Sequence, residues 1–330
     1  MKLIIQIPCF NEEDALPTAL EALPRSVPGI DVVEWLIIDD GSVDRTVEVA
    51  RACGVDHVVS LPRNRGLAFA FTSGLEACLA RGADVIVNTD ADNQYCADDI
   101  PKLVAPIVMG EAEMVIGERP IRDIAHFSPI KRFLQRLGSS AVRTLSRTDV
   151  GDAPSGFRAL SREAAMRLNV FSEYTYTLET IIQAGQKGMA VTSVPVRVNG
   201  ETRPSRLVRS IGSYVQRSLV TMVRIFITYR PLRFFMTTGG IVFAAGLALG
   251  LRFLYYYLTG DGDGKIQSTI LAALLMGTGA FLAVVGVVVD LIAVNRKLLE
   301  KLQWKLAVLE SQLESARDRS AQDGGQADRR

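Results

Sequence analysis

The chain has 330 residues and a formal net charge of +1, and 48% of its residues are hydrophobic although 22% are charged. Balanced charge excludes the basic footprint of a nucleic-acid-binding protein. The four cysteines form no CxxC pair and no metal-ligand spacing with the two histidines, which indicates free thiols in a reducing compartment. The mean hydropathy of +0.19 is high for so many charges, and the apolar excess is concentrated in residues 234–295.

Residues 1–120 alternate short apolar runs with amphipathic stretches. The apolar runs, which predict strands, cover residues 3–7, 32–38, 58–61, 84–87 and 114–116. The amphipathic stretches, which predict helices, include residues 13–23, 43–53 and 68–80. This alternation predicts an α/β fold with a mostly parallel sheet and helices on both faces. Ligands bind such sheets at the carboxyl ends of strands, and polar clusters follow three of them, "PCFNEE", "DDGSVDRT" and "NTDADNQY".

The cluster "NTDADNQY" places two carboxylates, Asp90 and Asp92, one residue apart at a strand end. Two such acids can share a divalent cation, and hard oxygen ligands suit Mg²⁺ or Mn²⁺, which bind substrate phosphates in their remaining positions. Gln94 supplies a further oxygen. The alternative is a solvated turn, and the Asp-Ala-Asp tripeptide taken by itself favours that alternative. The apolar strand before it and the other two clusters favour the metal site.

The other two clusters combine binding groups with ordinary helix capping. In "DDGSVDRT", Ser42 or Asp44 can cap the next helix, which leaves Asp39 or Asp40 for the base or ribose of a nucleotide. In "PCFNEE", Glu13 complements a helix N-terminus. The lack of glycine after the first strand excludes the dinucleotide-binding turn, and the sequence contains no P-loop motif.

Residues 120–206 are mixed in character. A polar segment with several arginines leads into "DAPSGFRALSREAA", after which residues 178–185 predict a helix and "MAVTSVPVRVN" predicts a strand. Residues 207–229 then carry apolar side chains at near-helical spacing. Three arginines interrupt this pattern, Arg209, Arg217 and Arg224. A basic amphipathic helix beside a membrane span is typical of a helix that lies in the interface.

Two segments are long and apolar enough to cross a membrane. The first covers about residues 234–258 and the second about residues 266–291. Basic residues flank the pair on its outer ends, Arg230, Arg233, Arg296 and Lys297. The positive-inside rule therefore predicts that both the N-terminal domain and the tail are cytoplasmic.

The tail, residues 296–330, carries leucines at alternating spacings of three and four, at positions 299, 302, 306, 309 and 313. This pattern fits a coiled-coil seam of about two heptads, and an amphipathic helix on the membrane surface explains it equally well. The final stretch "AQDGGQADRR" predicts disorder. The expected organisation is therefore an α/β domain, a juxtamembrane helix, a hairpin of two spans and this tail, at residues 1–206, 207–233, 234–295 and 296–330.

Five motifs occur in an order that resembles the family 2 glycosyltransferases of the GT-A fold: "PCFNEE", "DDGSVDRT", "RNRGLAFAFTSGLEA", "DADNQY" and "SGFRALSREA". The likeness covers residues 1–206 and is closest to the polyprenyl-phosphate sugar synthases, such as dolichol-phosphate mannose synthase. The two spans are similar to those of bacterial members with a membrane hairpin. The resemblance implies a membrane-bound, metal-dependent hexosyltransferase that uses Mg²⁺ or Mn²⁺. It would move a sugar from a UDP- or GDP-sugar to a dolichyl or undecaprenyl phosphate on the cytoplasmic face.

The resemblance also assigns site residues by group. It implies a nucleotide pocket lined by Pro8, Phe10, Asn11, Glu12 and Asp40. It implies a metal and diphosphate motif of Asp90, Asp92 and Gln94, with Arg119 near the donor phosphates. It implies an acceptor side shaped by Asp152, Ser155 and Arg158, and a basic loop over the phosphates with Arg203 and Arg206. The catalytic roles fall to Asp90, Asp92, Asp152, Arg203 and Arg206.

This sequence departs from the family pattern in two places. Phe10 stands where many relatives have tyrosine, and "SRL" replaces the more usual Ser-Lys of the basic loop. An anionic lipid phosphate would need no strong base, and direct displacement would invert the anomeric centre. Self-association through the hairpin or the tail is a further expectation.

Other classes of protein remain open. A processive glycan polymerase normally needs more spans and a Gln-x-x-Arg-Trp motif, and the sequence has neither. A family 2 transferase with another lipid or glycan acceptor would share the same motifs. The last alternative is a non-catalytic membrane scaffold of the same fold, against which the intact set of acids and arginines argues.

Overall fold

The computed structural model describes residues 1–120, 143, 146, 148–170, 176–199, 220, 223–224, 227, 230–259 and 266–327. The chain divides into two compact units. One contains a β-sheet with its helices, and the other spans Leu219–Leu306 and contains most of two long helices.

The first unit alternates strands and helices as the sequence predicts. Its strands are β1 (Lys2–Cys9), β2 (Val32–Asp39), β3 (His57–Ser60), β4 (Val85–Asn88), β5 (Met114–Glu118), β6 (Arg158–Ser161) and β7 (Val191–Pro195). Its helices are α1 (Leu16–Glu21), α2 (Thr46–Ala52), α3 (Leu67–Ala80), α4 (Ile100–Val108), α5 (Arg162–Arg167) and α6 (Thr177–Gln186). A short 3₁₀ turn, Ala97–Asp99, precedes α4.

The described strands form one sheet in the order β3-β2-β1-β4-β6-β5-β7. Neighbouring strands are parallel except at β6, which runs antiparallel to both β4 and β5. The mostly parallel sheet is therefore confirmed. β6 has only four residues, too few to show a periodic pattern, and it separates β5 from β4.

Strand β1 lies inside the sheet and is buried on both faces. Leu3, Ile5 and Ile7 face a core that also receives side chains from α1, α2 and α4. On the other face, α3 approaches so closely that a Cβ atom at Gly74 would lie 2.5 Å from Gln6 Oε1. Helices thus cover both faces, and each fully buried Leu or Ile contributes about 1.5–3 kcal/mol to folding.

The second unit is built around α7 (Pro231–Leu258) and α8 (Ile266–Ala327). Among the described residues, Pro231–Leu258 and Ile266–Arg296 are long and apolar enough to cross a membrane, with mean hydropathies of 1.8 and 2.4 in their best windows. Glycines bring the two helices close, since a Cβ atom at Gly239 would lie 2.8 Å from the Gly279 carbonyl oxygen. The segments that predict spans are therefore helical and packed against each other.

Two sequence expectations meet the structure only in part. Most of the amphipathic segment at 207–229 lies outside the described residues, and the four described positions in it, 220, 223, 224 and 227, are helical. Helix α8 extends to Ala327 and so includes most of the final stretch, for which composition predicts disorder. The difference has a physical reason, because a helix that is already formed adds one hydrogen bond for each further residue.

Candidate active site

The loops after β1 and β2 are joined by reciprocal hydrogen bonds. Asn11 N–H donates to Ser42 Oγ, and Val43 N–H donates to Asn11 Oδ1, both at 2.9 Å. Glu12 N–H donates to Thr46 Oγ1 at 2.9 Å. Asn11 has a φ of 54°, a conformation that asparagine adopts more readily than most residues. Its amide therefore joins the two loops, and the neighbouring residue Phe10 is 39% exposed.

The two aspartates after β2 have separate structural tasks. Asp39 Oδ1 accepts from Ser42 N–H at 3.0 Å, which closes the turn at Gly41. Asp40 accepts from Arg65 N–H and Gly66 N–H, one on each carboxylate oxygen and both at 2.8 Å. Asp40 is buried, and it holds the loop that leads into α3. Any contact with a nucleotide would have to use its remaining lone pairs.

The paired acids lie at the carboxyl end of β4. Asp90 accepts no hydrogen bond from any residue that the structure describes. Its partial burial, together with the negative charge of Asp92, raises the pKa of Asp90 to about 7. Asp92 Oδ1 accepts from Gln94 N–H at 3.1 Å, and Asn93 between them has a φ of 55°. The loop is thus tightly turned and presents two neighbouring carboxylates.

A buried polar network lies beneath Asp90. Asn88 Nδ2 donates to the Gly156 carbonyl and to the Tyr176 hydroxyl, each at 2.9 Å. Asn88 Oδ1 accepts from Gln6 Nε2, also at 2.9 Å. The network connects β1 and β4 with the segments before β6 and α6, so it fixes the backbone next to Asp90. The sequence alone does not identify these residues, because their partners are distant along the chain.

Arg119 and Asp152 form an ion pair at the same edge of the sheet. Arg119 Nε lies 2.6 Å from Asp152 Oδ2, and Nη2 lies 3.0 Å from Asp152 Oδ1. Burial opposes charge on Arg119, but Tyr95 and Asp152 raise the pKa of Arg119, so the guanidinium stays charged. Arg119 also acts electrostatically on Asp90 and lowers its pKa against the effects of burial. The structure thus brings Arg119, Asp152 and Asp90 together.

Arg158 and Ser155, which the resemblance assigns to the acceptor side, are both completely buried. Arg158 Nη1 donates to Thr180 Oγ1 at 2.6 Å, and Nη2 donates to the Ser155 carbonyl oxygen. These contacts hold the segment before β6 against α6. Arg203 and Arg206 lie outside the described residues.

The segment that follows β7 is fastened to the loop of the paired acids. Asn199 N–H donates to the Gln94 carbonyl at 2.8 Å, and Asn199 Nδ2 donates to the Asn93 carbonyl at 2.9 Å. Two residues earlier, Arg197 N–H and Nη2 donate to the buried carboxylate of Asp99, at 2.7 Å and 2.9 Å. Asn199, which precedes Arg203 and Arg206 in the sequence, is therefore anchored on the loop of the paired acids.

The donor set at Asp90 and Asp92 fits Mg²⁺ or Mn²⁺. Both ligands are hard carboxylate oxygens, and a cation would offset the burial and the repulsion by Asp92 that raise the pKa of Asp90. In the part of the chain that the structure describes, no group of three or more His, Cys, Asp and Glu side chains could hold a metal. A cation here would complete its coordination with phosphate and water, as Mg²⁺ commonly does.

This mostly parallel sheet, with paired aspartates at the end of an inner strand, defines a GT-A fold. The chain belongs to glycosyl transferase family 2, whose sequence profile matches residues 4–168. The family assignment from the motifs is therefore confirmed.

Several relatives match more than half of this chain. The undecaprenyl-phosphate mannosyltransferase of Micrococcus luteus is 27% identical over 238 residues, which are 68% of this chain and 93% of that protein. The polyprenol monophosphomannose synthase of Mycolicibacterium smegmatis is 25% identical over 206 residues, 59% of this chain and 76% of that protein. An N-acetylglucosaminyltransferase of Methanococcus voltae, named for dolichyl phosphate, is 29% identical over 216 residues, 58% of this chain and 83% of that protein.

Solved structures show the same fold at lower identity. Glucosyl-3-phosphoglycerate synthase of Mycobacterium tuberculosis, in complex with phosphoglyceric acid, superimposes with a TM-score of 0.55 and 22% identity. The match covers 68% of this chain and 79% of that chain. A second structure of that enzyme, with Mn²⁺ and UDP-glucose, gives a TM-score of 0.54 at 21% identity and covers 68% of this chain and 78% of that chain.

Proposed function

We propose that this protein transfers a sugar from a UDP- or GDP-sugar to a polyprenyl phosphate at a membrane surface, with Mg²⁺ or Mn²⁺ as cofactor. The observation that carries the proposal is the Asp90 and Asp92 pair at a strand end, in a chain whose C-terminal helices are apolar enough to cross a membrane. Three relatives named for polyprenyl or dolichyl phosphate support the acceptor class.

The donor diphosphate would lie over the paired acids. A divalent ion held by Asp90 and Asp92 supplies Lewis-acid stabilisation for the charge that develops on the leaving diphosphate. Arg119, fixed by Asp152, adds a positive charge at the same edge of the sheet. We propose that Phe10 and Asn11 contact the nucleoside, because they follow the end of the neighbouring strand β1.

The acceptor needs little activation, because the oxygen of a lipid monophosphate is already anionic near pH 7. That oxygen attacks the anomeric carbon, the bond from this carbon to the diphosphate oxygen breaks, and the nucleoside diphosphate leaves with the electron pair. The anomeric configuration is therefore inverted. We propose that Arg203 and Arg206 hold the acceptor phosphate, because guanidinium can bond two phosphate oxygens at once. The segment that carries them starts after Asn199, which is anchored on the loop of the paired acids.

The proposal is tested by a turnover assay on the full chain in detergent. UDP- and GDP-sugars are offered with and without undecaprenyl phosphate, and the lipid product is identified by mass spectrometry. We expect a glycosylated lipid phosphate to form only when the lipid, a donor and Mg²⁺ or Mn²⁺ are all present. Transfer to another lipid or to a glycan, or no turnover of any donor, would contradict it.

We further propose that the α/β domain and the tail are both cytoplasmic and that the helices form a hairpin. The basic residues that flank the two helices, Arg230, Arg233 and Arg296, favour this orientation. Single cysteines at Gly262 and Ser320, in a background without the four native cysteines, test it. Labelling of Gly262→Cys from outside intact cells, with Ser320→Cys protected until the membrane is opened, is expected. The reverse pattern would invert the topology.

A further inference from the structure

The backbone of Gly156 lies directly against the carboxylate of Asp90. A Cβ atom at this position would lie 3.1 Å from both Asp90 Oδ1 and Asp90 Oδ2. It would also lie 3.1 Å from the hydroxyl oxygen of Tyr176. Such contacts are shorter than normal van der Waals separations, so a side chain fits here only if the carboxylate moves.

Gly156 is itself held in place through both polar groups of its backbone. Its N–H donates to the Tyr95 hydroxyl at 3.1 Å, and its carbonyl oxygen accepts from Asn88 Nδ2 at 2.9 Å. The Tyr95 ring stacks on Phe157 with 4.9 Å between ring centroids. Because all of these groups are buried, the surface that Gly156 presents to Asp90 has a fixed position.

The backbone conformation does not require glycine here. Gly156 is absent from the glycines with positive φ, so alanine would introduce no strain of the left-handed kind. The close approach of Asp90 is therefore the physical reason for the missing side chain.

We propose that Gly156 is a positioning residue that sets the orientation of the Asp90 carboxylate toward the divalent cation. The inference rests on the proposed function, because it takes Asp90 as a cation ligand. Residues behind a metal ligand commonly change metal affinity by about 10- to 100-fold when they are substituted. A methyl group at residue 156 would turn or displace the carboxylate and would weaken the binding of the cation.

Direct binding of Mn²⁺ tests this without any transfer reaction. The full chain in detergent is titrated with Mn²⁺ alone, and with Mn²⁺ plus UDP or GDP, and free Mn²⁺ is followed by electron paramagnetic resonance. Gly156→Ala is expected to bind Mn²⁺ at least about tenfold more weakly than the native chain. Tyr95→Phe, which removes the hydroxyl that holds Gly156 and adds no atom, is expected to weaken binding in the same direction.

Gly286→Ala is the matched control. A Cβ atom at Gly286 would also meet a close neighbour, but this neighbour is Phe235 Cβ, at 2.7 Å, in the two long helices. Its Mn²⁺ affinity should equal that of the native chain, which separates the contact with Asp90 from general crowding. A second check is Gly156→Ala combined with Tyr176→Phe, which relieves the contact with the hydroxyl but should not restore binding.

The results distinguish a wrong role for Gly156 from a wrong metal site. Native affinity in both Gly156→Ala and Tyr95→Phe would overturn the role of Gly156 and leave the metal site intact. Equal losses in Gly156→Ala and Gly286→Ala, or full recovery in the double variant, would also overturn it. A native chain that does not bind Mn²⁺ under any of these conditions would refute the metal site itself and this inference with it.

Discussion

Arg119 and Asp152 form a bidentate ion pair in which Asp152 is completely buried and the side chain of Arg119 is only 12% exposed. Both carboxylate oxygens of Asp152 accept hydrogen bonds from the guanidinium. The family resemblance implies a catalytic role for Asp152, and we propose that Asp152 positions Arg119. Arg119 in turn lowers the pKa of Asp90.

Loss of this pair should destabilise the fold. Asp152→Ala leaves a buried guanidinium without its counter-charge, and breaking a buried pair in this way typically costs about 3–5 kcal/mol. The expected result is a clear fall in the unfolding midpoint of the full chain in a denaturant titration. Asp149→Ala is the control, because the side chain of Asp149 is 96% exposed and lies 3.5 Å from Arg143. Equal midpoints for the two variants would contradict the structural role of Asp152.

Removal of either paired acid should abolish or severely reduce transfer. Asp92→Ala is expected to abolish turnover and Asp90→Ala to reduce it by about 10²-fold or more, because the leaving diphosphate loses charge stabilisation. Excess chelator should have the same effect on the native chain. Asp98→Ala, at an aspartate whose side chain is 78% exposed, should keep native turnover. Full activity in excess chelator would exclude the metal.

Mn²⁺ binding should weaken at acid pH because protons compete for Asp90. Burial and Asp92 raise the pKa of Asp90 to about 7, so the carboxylate is charged above this pH and protonated below it. Affinity should therefore fall as pH decreases from about 8 to about 5. Arg119 lowers the pKa of Asp90, so Arg119→Gln should move the midpoint to higher pH. Binding that is independent of pH across this range would show that Asp90 is not a ligand.

The sequence predicts the strands and the polar strand ends because these are local signals. Apolar runs mark β1 to β5, and parallel strands bring their carboxyl ends to one edge of a sheet. Asp90 and Asp92 are identifiable for this reason. The position of β6 between β4 and β5 is not a local property, since it depends on pairing between segments about 70 residues apart.

The same distinction explains the contacts of site residues that the sequence does not identify. Arginine is usually exposed, but Arg158 is buried because backbone and hydroxyl oxygens at Thr177 and Thr180 accept its hydrogen bonds. Asp40 is engaged by amides 25 and 26 residues further along the chain. In "SGF", no feature of the sequence distinguishes a glycine required for packing from one required for a turn.

The ion pair of Asp99 and Arg197 should stabilise the site in a pH-dependent way. Burial opposes the charge on Asp99, but hydrogen bonds from Arg197 and Lys102 outweigh it and lower the pKa of Asp99 to about 2. A lowered carboxyl pKa contributes stability that is present above its unfolded value near 4 and is lost as pH falls through about 2. Asp99→Asn should therefore unfold at a lower denaturant concentration than the native chain at pH 7.

The difference between Asp99→Asn and the native chain should disappear toward pH 2. Asp98→Asn is the control, because Asp98 also lies near Arg197, at 3.7 Å, but its side chain is largely exposed. It should unfold like the native chain at both pH values. A constant difference between Asp99→Asn and the native chain from pH 7 to pH 2 would show that the charge of Asp99 is not what stabilises this contact.

The two long helices pack through glycines, and adjacent positions on α7 give a matched test. A Cβ atom at Gly239 would lie 2.8 Å from the Gly279 carbonyl oxygen and 3.2 Å from Leu282 Cβ, whereas a Cβ atom at Gly240 would have no neighbour within 4 Å. Overpacking a close contact typically costs about 1–3 kcal/mol, and small residues are what allow helices to approach closely in membranes.

Gly239→Ala should therefore destabilise the hairpin, and Gly240→Ala should not. Both substitutions add one methyl group to the same helix and remove the same glycine flexibility. Any difference in stability between the two variants therefore reports contact with α8. The measurement is the temperature at which half of the full chain in detergent is lost from its size-exclusion peak after heating. Gly279→Ala should behave like Gly239→Ala, because a Cβ atom there would lie 2.6 Å from the Gly239 carbonyl oxygen. Identical temperatures for Gly239→Ala and Gly240→Ala would refute the close packing of the two helices.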